Sequence, residues 1–190
     1  MKELVILGGP NGAGKTTAAR QLVPSALGIH EFVNADEIAR GLSPFNPEGV
    51  SVAAGRLMLS RIGELVQEGS NFAFETTCSG KSYLRILKLA KSKGYRITLI
   101  FLWLSSPKHA IARVARRVQQ GGHFVADEVV RRRYYGGVKN LSDIYMPLTD
   151  ITLVYDNSDL RHKLIATYER GFGIKVVDQS VWKQIKGNPS

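Results

Sequence analysis

The chain has 190 residues, 44% hydrophobic and 22% charged, a globular composition that leaves room for one α/β core and excludes a disordered chain or a second catalytic domain. Its formal charge of +10, from 26 Lys and Arg against 16 Asp and Glu, implies an anionic partner, either nucleotide phosphates and a phosphorylated substrate or nucleic acid. Cys78 is the only cysteine, which excludes an intrachain disulfide and a cysteine-based metal site, and the longest apolar run, 99–104, is too short to span a bilayer.

In chain order, an apolar run at 3–7 predicts a strand that leads directly from Met1-Lys2-Glu3 without a signal peptide, so a cytoplasmic location is expected. It runs into Gly9-Pro10-Asn11-Gly12-Ala13-Gly14-Lys15-Thr16, which fits the phosphate-binding pattern GxxxxGK(S/T) without a mismatch. The glycines let successive N–H groups turn inward around phosphates, Lys15 supplies a charge to the outer phosphates, and the Thr16 hydroxyl suits a magnesium ion. A helical pattern from Thr17 to Leu22 follows, placing the anion at a helix N-terminus. ATP with Mg2+ is therefore the predicted cofactor, held by Gly9 to Thr17 with Thr16 on the metal.

Further strands are predicted at 32–34, 72–75, 97–104 and 151–155, with helices at 48–67, 81–93, 107–120 and from 126 to about 145, before Pro147. Leu164 to Tyr168, a turn at Gly171-Phe172-Gly173 and Ile174 to Val177 predict a hairpin, followed by a short helix around Trp182. Trp103 and Trp182 are assigned to the core. Strands alternating with helices predict a mainly parallel sheet flanked by helices, a phosphate-loop NTPase fold in a single domain over 1–190. Its lid is expected at 106–146 and the C-terminal hairpin and helix at 160–186. Ligands of such sheets bind at the carboxyl ends of the strands, which directs attention to Asn34-Ala35-Asp36, Glu75-Thr76-Thr77, Ser105-Ser106 and Asp156-Asn157-Ser158.

Asp36 is assigned as the base that takes the proton of an acceptor hydroxyl; the alternative is a carboxylate that merely favours a helix N-terminus. Arg40, four residues on, either holds Asp36 ionised, meets a substrate phosphate or lies on the surface. Glu75 closes an otherwise apolar strand, where it orients a substrate hydroxyl, holds a magnesium-bound water or pairs with a basic residue. Asn34, Arg40, Glu75 and Thr76 make up the predicted substrate side. An apolar strand ending in aspartate is missing after 97–104, and no LSGGQ-like segment is present, which argues against a transport ATPase or helicase.

Arg113, Arg116, Arg117, Arg131, Arg132 and Arg133 fall within 21 residues. Arg113 and Arg117 share one helical face, and Arg132 and Arg133 lie across the turn Gly121-Gly122-His123. They form either a solvated face or a lid that closes over ATP, with Arg113 on the nucleotide and Arg117 and Arg132 on the transferred phosphate. His123 is assigned to the lid turn. Cys78, beside Thr77 and Ser79, is read as packing rather than nucleophile.

GGPNGAGKTT, VNADEIARGLSP, AFETT, RVARRVQQGGHFV, VVRRRY and YDNS, in that order, resemble the zeta-toxin family of phosphate-loop kinases, and its short bacterial branch in particular. The resemblance implies transfer of the ATP γ-phosphate to a hydroxyl of UDP-N-acetylglucosamine. It implies Asp36 as base, Lys15 and Thr16 at phosphate and magnesium, Glu75 as a substrate-side acid, Arg117 and Arg132 in the lid, and a possible antitoxin partner. The chain departs from the family where Arg40 is followed by Ser43-Pro44 without a histidine. A nucleoside or polynucleotide-end kinase and a nucleotide-gated binding protein with slow ATPase activity remain as alternatives; the former would bind nucleic acid, and a membrane partner is not expected.

Overall fold

In the computed structural model, which describes residues 1–122, 124–159 and 161–187, the predicted apolar runs become β1 (Lys2–Gly8), β2 (Glu31–Val33), β3 (Phe72–Thr76), β4 (Tyr95–Trp103) and β5 (Ile151–Asp156). The expected antiparallel hairpin follows as β6 (Lys163–Glu169) and β7 (Gly173–Val176). Among the described residues they form a seven-stranded sheet, ordered β2-β3-β1-β4-β5-β6-β7, parallel from β2 to β5 and antiparallel beyond. Strands β1 and β4 read as unbroken apolar runs because a central parallel strand is covered on both faces; Leu4 to Leu7 and Leu99 to Leu104 are all buried.

The helices are α1 (Lys15–Leu27), α2 (Ala35–Leu42), α3 (Ser51–Glu68), α4 (Leu84–Ser92), α5 (Pro107–Gln119), α6 (Asp127–Asn140), α7 (Met146–Leu148) and α8 (Gln179–Gly187). The β1-to-β2 crossover runs across the sheet in one direction and every later crossover in the other. Right-handed connection therefore puts α1 on one face and α3, α4 and the α5–α6 pair on the opposite face. All five parallel strands end on the same rim, where the phosphate loop, α2 and the residues after β3 meet.

Three elements differ from their predicted forms. Helix α1 runs past Leu22 to Leu27 with Pro24 inside it; the ring lies on the exposed side while Val23 anchors the same turn in the core. In α3 the buried stripe is Ala54, Met58, Ile62, Leu65 and Val66, and Val52 and Leu57 face solvent despite their apolar spacing. The predicted helix from 126 is interrupted: after α6 comes a π-helical turn, Leu141–Tyr145, and then α7, which carries Pro147 in its first turn. Trp103 and Trp182 are buried as expected.

Asp150 ties the outer half of the sheet together. Its carboxylate accepts from the Ile97 N–H and from Lys91, and it pairs with Arg170 at 3.2 Å. Burial pulls this carboxyl upward, but the Ile97 N–H, Lys91 and Arg170 outweigh burial and hold it below the ordinary carboxylate range. A depressed folded-state value stabilises the fold above the unfolded value, roughly 3.9, and that contribution is lost as pH falls through the lowered one. Asp150→Asn is therefore expected to cost about 1–3 kcal/mol at pH 7. In urea unfolding, the gap between variant and wild type should narrow below about pH 4; a gap independent of pH would remove the ionic account.

Candidate active site

β1 ends by passing very close to β4: a Cβ on Gly9, whose φ is 135°, would run into the Leu102 carbonyl oxygen. Only glycine lets the chain turn there into the loop. Gly9, Pro10 and Ala13 are buried beneath the loop, whereas Asn11, Gly12, Gly14, Lys15, Thr16 and Thr17 line the cleft above it. Asn157, just after β5, donates to the Ala13 carbonyl at 2.6 Å and holds the loop from below. No side chain caps α1, so its first-turn N–H groups are left for an anion.

Lys15 is buried, 5% exposed. Its Nζ donates to the Pro10 carbonyl at 2.9 Å and lies 3.6 Å from Glu75 Oε1. Glu75 Oε2 accepts from the Thr16 hydroxyl at 2.7 Å and from Asn34 Nδ2 at 2.9 Å. The meeting follows from topology: β3 pairs with β1 in parallel, with Glu75 beside Leu7. The carboxylate found missing after β4 is thus supplied from β3 on the other side of β1. Thr16 and Glu75 offer adjacent hard oxygen donors, which suits Mg2+ completed by phosphate oxygens and water. No cluster of three His, Cys, Asp or Glu side chains among the described residues provides an all-protein cage.

Asn34 has both ends of its amide engaged. Besides bonding Glu75, its Oδ1 accepts from the N–H groups of Asp36 and Glu37 and caps α2, which stabilises such a helix by about 1 kcal/mol. Capping leaves the Asp36 carboxylate without a hydrogen bond or ion pair to any described residue, facing the cleft. Arg40 does not hold Asp36; it pairs with the exposed Glu37 at 3.7 Å and lines a neighbouring groove with Arg20 and Arg117.

Two cavities meet at this point. One, of about 460 Å³, lies over the phosphate loop and is bounded by Arg113, Arg116 and Arg117 of α5. The other, of about 250 Å³, is walled by Asn34, Thr76, Thr77, Ser79, Tyr83 and Arg133. Asn11, Lys15, Asp36 and Glu75 line both.

Arg113 donates to the Ser158 carbonyl at 2.8 Å and to His109 Nε2 at 3.1 Å, fixing it at the nucleotide side. Arg132 is exposed and lines neither cavity, whereas its neighbour Arg133 enters the smaller one. His123 lies outside the described residues. The loop after β3 is clamped from α6 and the π-helical turn. Asn140 donates to the Cys78 carbonyl at 2.9 Å, Tyr145 to the Gly80 carbonyl at 2.9 Å, and a Cβ on Gly137 would strike the Thr77 carbonyl. Cys78 sits there with φ 57°, fully buried, its thiol pushed up by burial to about 12. It is a packing residue with almost no thiolate near neutral pH.

Residues 4–135, more than half of the chain, match the AAA domain family. The chain belongs to that family. A relative from Haemophilus influenzae, an uncharacterized protein, is 32% identical over 126 residues, covering 66% of this chain and 88% of its own. Among solved structures, a chain of the PezAT chromosomal toxin–antitoxin system of Streptococcus pneumoniae superposes with a TM-score of 0.67 at 16% identity, over all of this chain and 80% of that one. AvrRxo1-ORF1:AvrRxo1-ORF2 with sulphate ions gives 0.78 at 18% identity, over 97% of this chain and 63% of that one. A gluconokinase from Sinorhizobium meliloti gives 0.54 at 16% identity, over 83% of each chain. At these identities the likeness establishes the fold alone.

Proposed function

We propose that the protein is an ATP-dependent phosphotransferase that moves the γ-phosphoryl group of Mg-ATP onto a hydroxyl of a small anionic acceptor. The observation that carries this reading is the junction of the two cavities at Asn11, Lys15, Asp36 and Glu75. A nucleotide over the phosphate loop and an acceptor in the smaller cavity would face each other across Asp36. The acceptor oxygen attacks the γ-phosphorus as the bond to the ADP oxygen breaks, and the hydroxyl proton passes to the Asp36 carboxylate. Lys15 balances charge on the outer phosphates, and Thr16 and Glu75 would hold the magnesium ion that neutralises the β- and γ-oxygens. Arg113 and Arg117 approach from α5 and serve as lid cations; Arg132 would reach the phosphates only if α6 moves.

The zeta-toxin resemblance extends the acceptor to UDP-N-acetylglucosamine and adds an antitoxin as partner. The likeness to a chain of the PezAT toxin–antitoxin system supports the partner, and the ATP-bound AvrRxo1-ORF1:-ORF2 structure supports the cofactor. No helix of the described residues is long and apolar enough to cross a membrane, and dependence on ATP suits a cytoplasmic enzyme. The charge of +10 favours a second reading, a polynucleotide-end kinase. The test is transfer of label from γ-labelled ATP into a pooled metabolite extract and, in parallel, into a hydroxyl-ended oligonucleotide. Labelled small molecules are expected. Label on the oligonucleotide, with steep salt dependence, would select the second reading; tight ATP binding with no labelled product would leave only a nucleotide-gated binding protein.

A further inference from the structure

Most cationic side chains in the interior of this protein have a visible partner. Lys15 has Pro10 and Glu75, Lys91 has Asp150, and Arg113 has His109 and the Ser158 carbonyl. Arg133 differs: it is half-buried, and it makes no hydrogen bond or ion pair with any described residue. Burial lowers its affinity for its proton, Asp36 opposes that at longer range, and Arg132 adds to it. A guanidinium partly withdrawn from water and left unpaired gains from a ligand that brings the counter-charge. Arg133 lines the acceptor cavity and not the nucleotide cavity, so the counter-charge it lacks is on the acceptor side.

A second unsatisfied group lies at the junction of the two cavities. Asn11, 7% exposed, has a buried Oδ1 with no hydrogen-bond partner, and the residue lines both cavities. An amide oxygen only accepts, so it calls for an O–H or N–H donor. The cavity, about 250 Å³, is smaller than the roughly 300–1,000 Å³ of pockets for drug-sized ligands. It holds a body of monosaccharide size, and anything longer must extend out of it.

Resting on the kinase reading above, we propose that Arg133 is the specificity-determining residue of the acceptor site. It would take a hydroxylated acceptor that carries a carboxylate or phosphate within one sugar ring of the reacting hydroxyl. The anion is held by Arg133, and the reacting hydroxyl faces Asp36. A free sugar acid, a sugar phosphate and the sugar end of a nucleotide sugar all share this chemistry.

The experiment separates a pooled metabolite extract on an anion exchanger and assays each fraction as acceptor with γ-labelled ATP and the intact protein. Acceptor activity is expected in the anionic eluate. Activity confined to the flow-through overturns the anion anchor while sparing the kinase reading; no activity in either fraction, with ATP still bound, ends both. Digesting the eluate with phosphodiesterase and phosphatase distinguishes the sources, since a carboxylate acceptor survives and a phosphorylated one does not. With the active fraction, Arg133→Gln is expected to raise the acceptor KM roughly ten- to a hundred-fold, the range for one lost charged hydrogen bond, with kcat held within a few-fold. Arg133→Lys should recover part of the affinity. A fall in kcat at unchanged KM would move Arg133 to the transferred phosphoryl group and overturn the assignment. Thermal unfolding of each variant separates a binding loss from a folding defect.

Discussion

Asp36→Asn lowers acceptor phosphorylation by about 10²–10⁴-fold, the usual share of a positioned general base, while ATP affinity stays within a few-fold. The structure sharpens this expectation, because the sequence allows Asp36 to be a helix-terminus residue and the geometry gives the capping to another side chain. Asn34, not Asp36, caps α2. What Asp36 adds to the helix is a first-turn charge, typically about 0.3–1 kcal/mol. Asparagine removes that charge but keeps the shape, so the melting temperature should move by only a few degrees. Steady-state rates with a confirmed acceptor decide the matter: near-normal turnover ends the base assignment, and a large loss of stability returns Asp36 to a structural role. A folded, ATP-binding, inactive variant is the outcome the mechanism requires.

Lys15→Ala is expected to weaken ATP binding by about 1.5–3 kcal/mol, roughly ten- to a hundred-fold, and to lower turnover as well, since the ammonium contacts the outer phosphates before and during transfer. Isothermal titration with ATP measures the first effect. Because Lys15 is buried against Glu75 and the Pro10 carbonyl, the substitution also removes one partner of a buried pair. Glu75 keeps its bonds from Thr16 and Asn34, so the stability loss should remain well below the roughly 3–5 kcal/mol of a fully orphaned buried charge. Lys15→Met, which fills the same space, separates packing from charge. Unchanged ATP affinity in both variants would remove the phosphate loop from the site.

The residues that chain order alone brings together were legible without coordinates. Gly9 to Thr16 is a local motif whose spacing dictates its backbone, and Asp36 stands out because it directly follows a strand. The five parallel strands and the hairpin at 163–176 were legible because apolar runs of strand length and a glycine turn are local signals. What the sequence could not determine is which strands become neighbours. A search for the second acidic strand end after β4 finds serines, but β1 has two neighbours, and β3 brings Glu75 to Lys15 and Thr16. Pairing order is a long-range outcome of crossover direction, so no local pattern reveals it. Helix phase is the other limit. Arg131, Arg132 and Arg133 are equivalent in composition, yet successive helical residues point about 100° apart, and the docking of α6 against α5 and the loop after β3 turns Arg133 inward and Arg132 to solvent. The sequence by itself determined the phosphate loop, the fold class and the candidate carboxylate to test. Only the tertiary structure decided that Glu75, expected at the site, meets Lys15 and Thr16, and which arginine enters the smaller cavity, because both depend on packing between segments far apart in the chain.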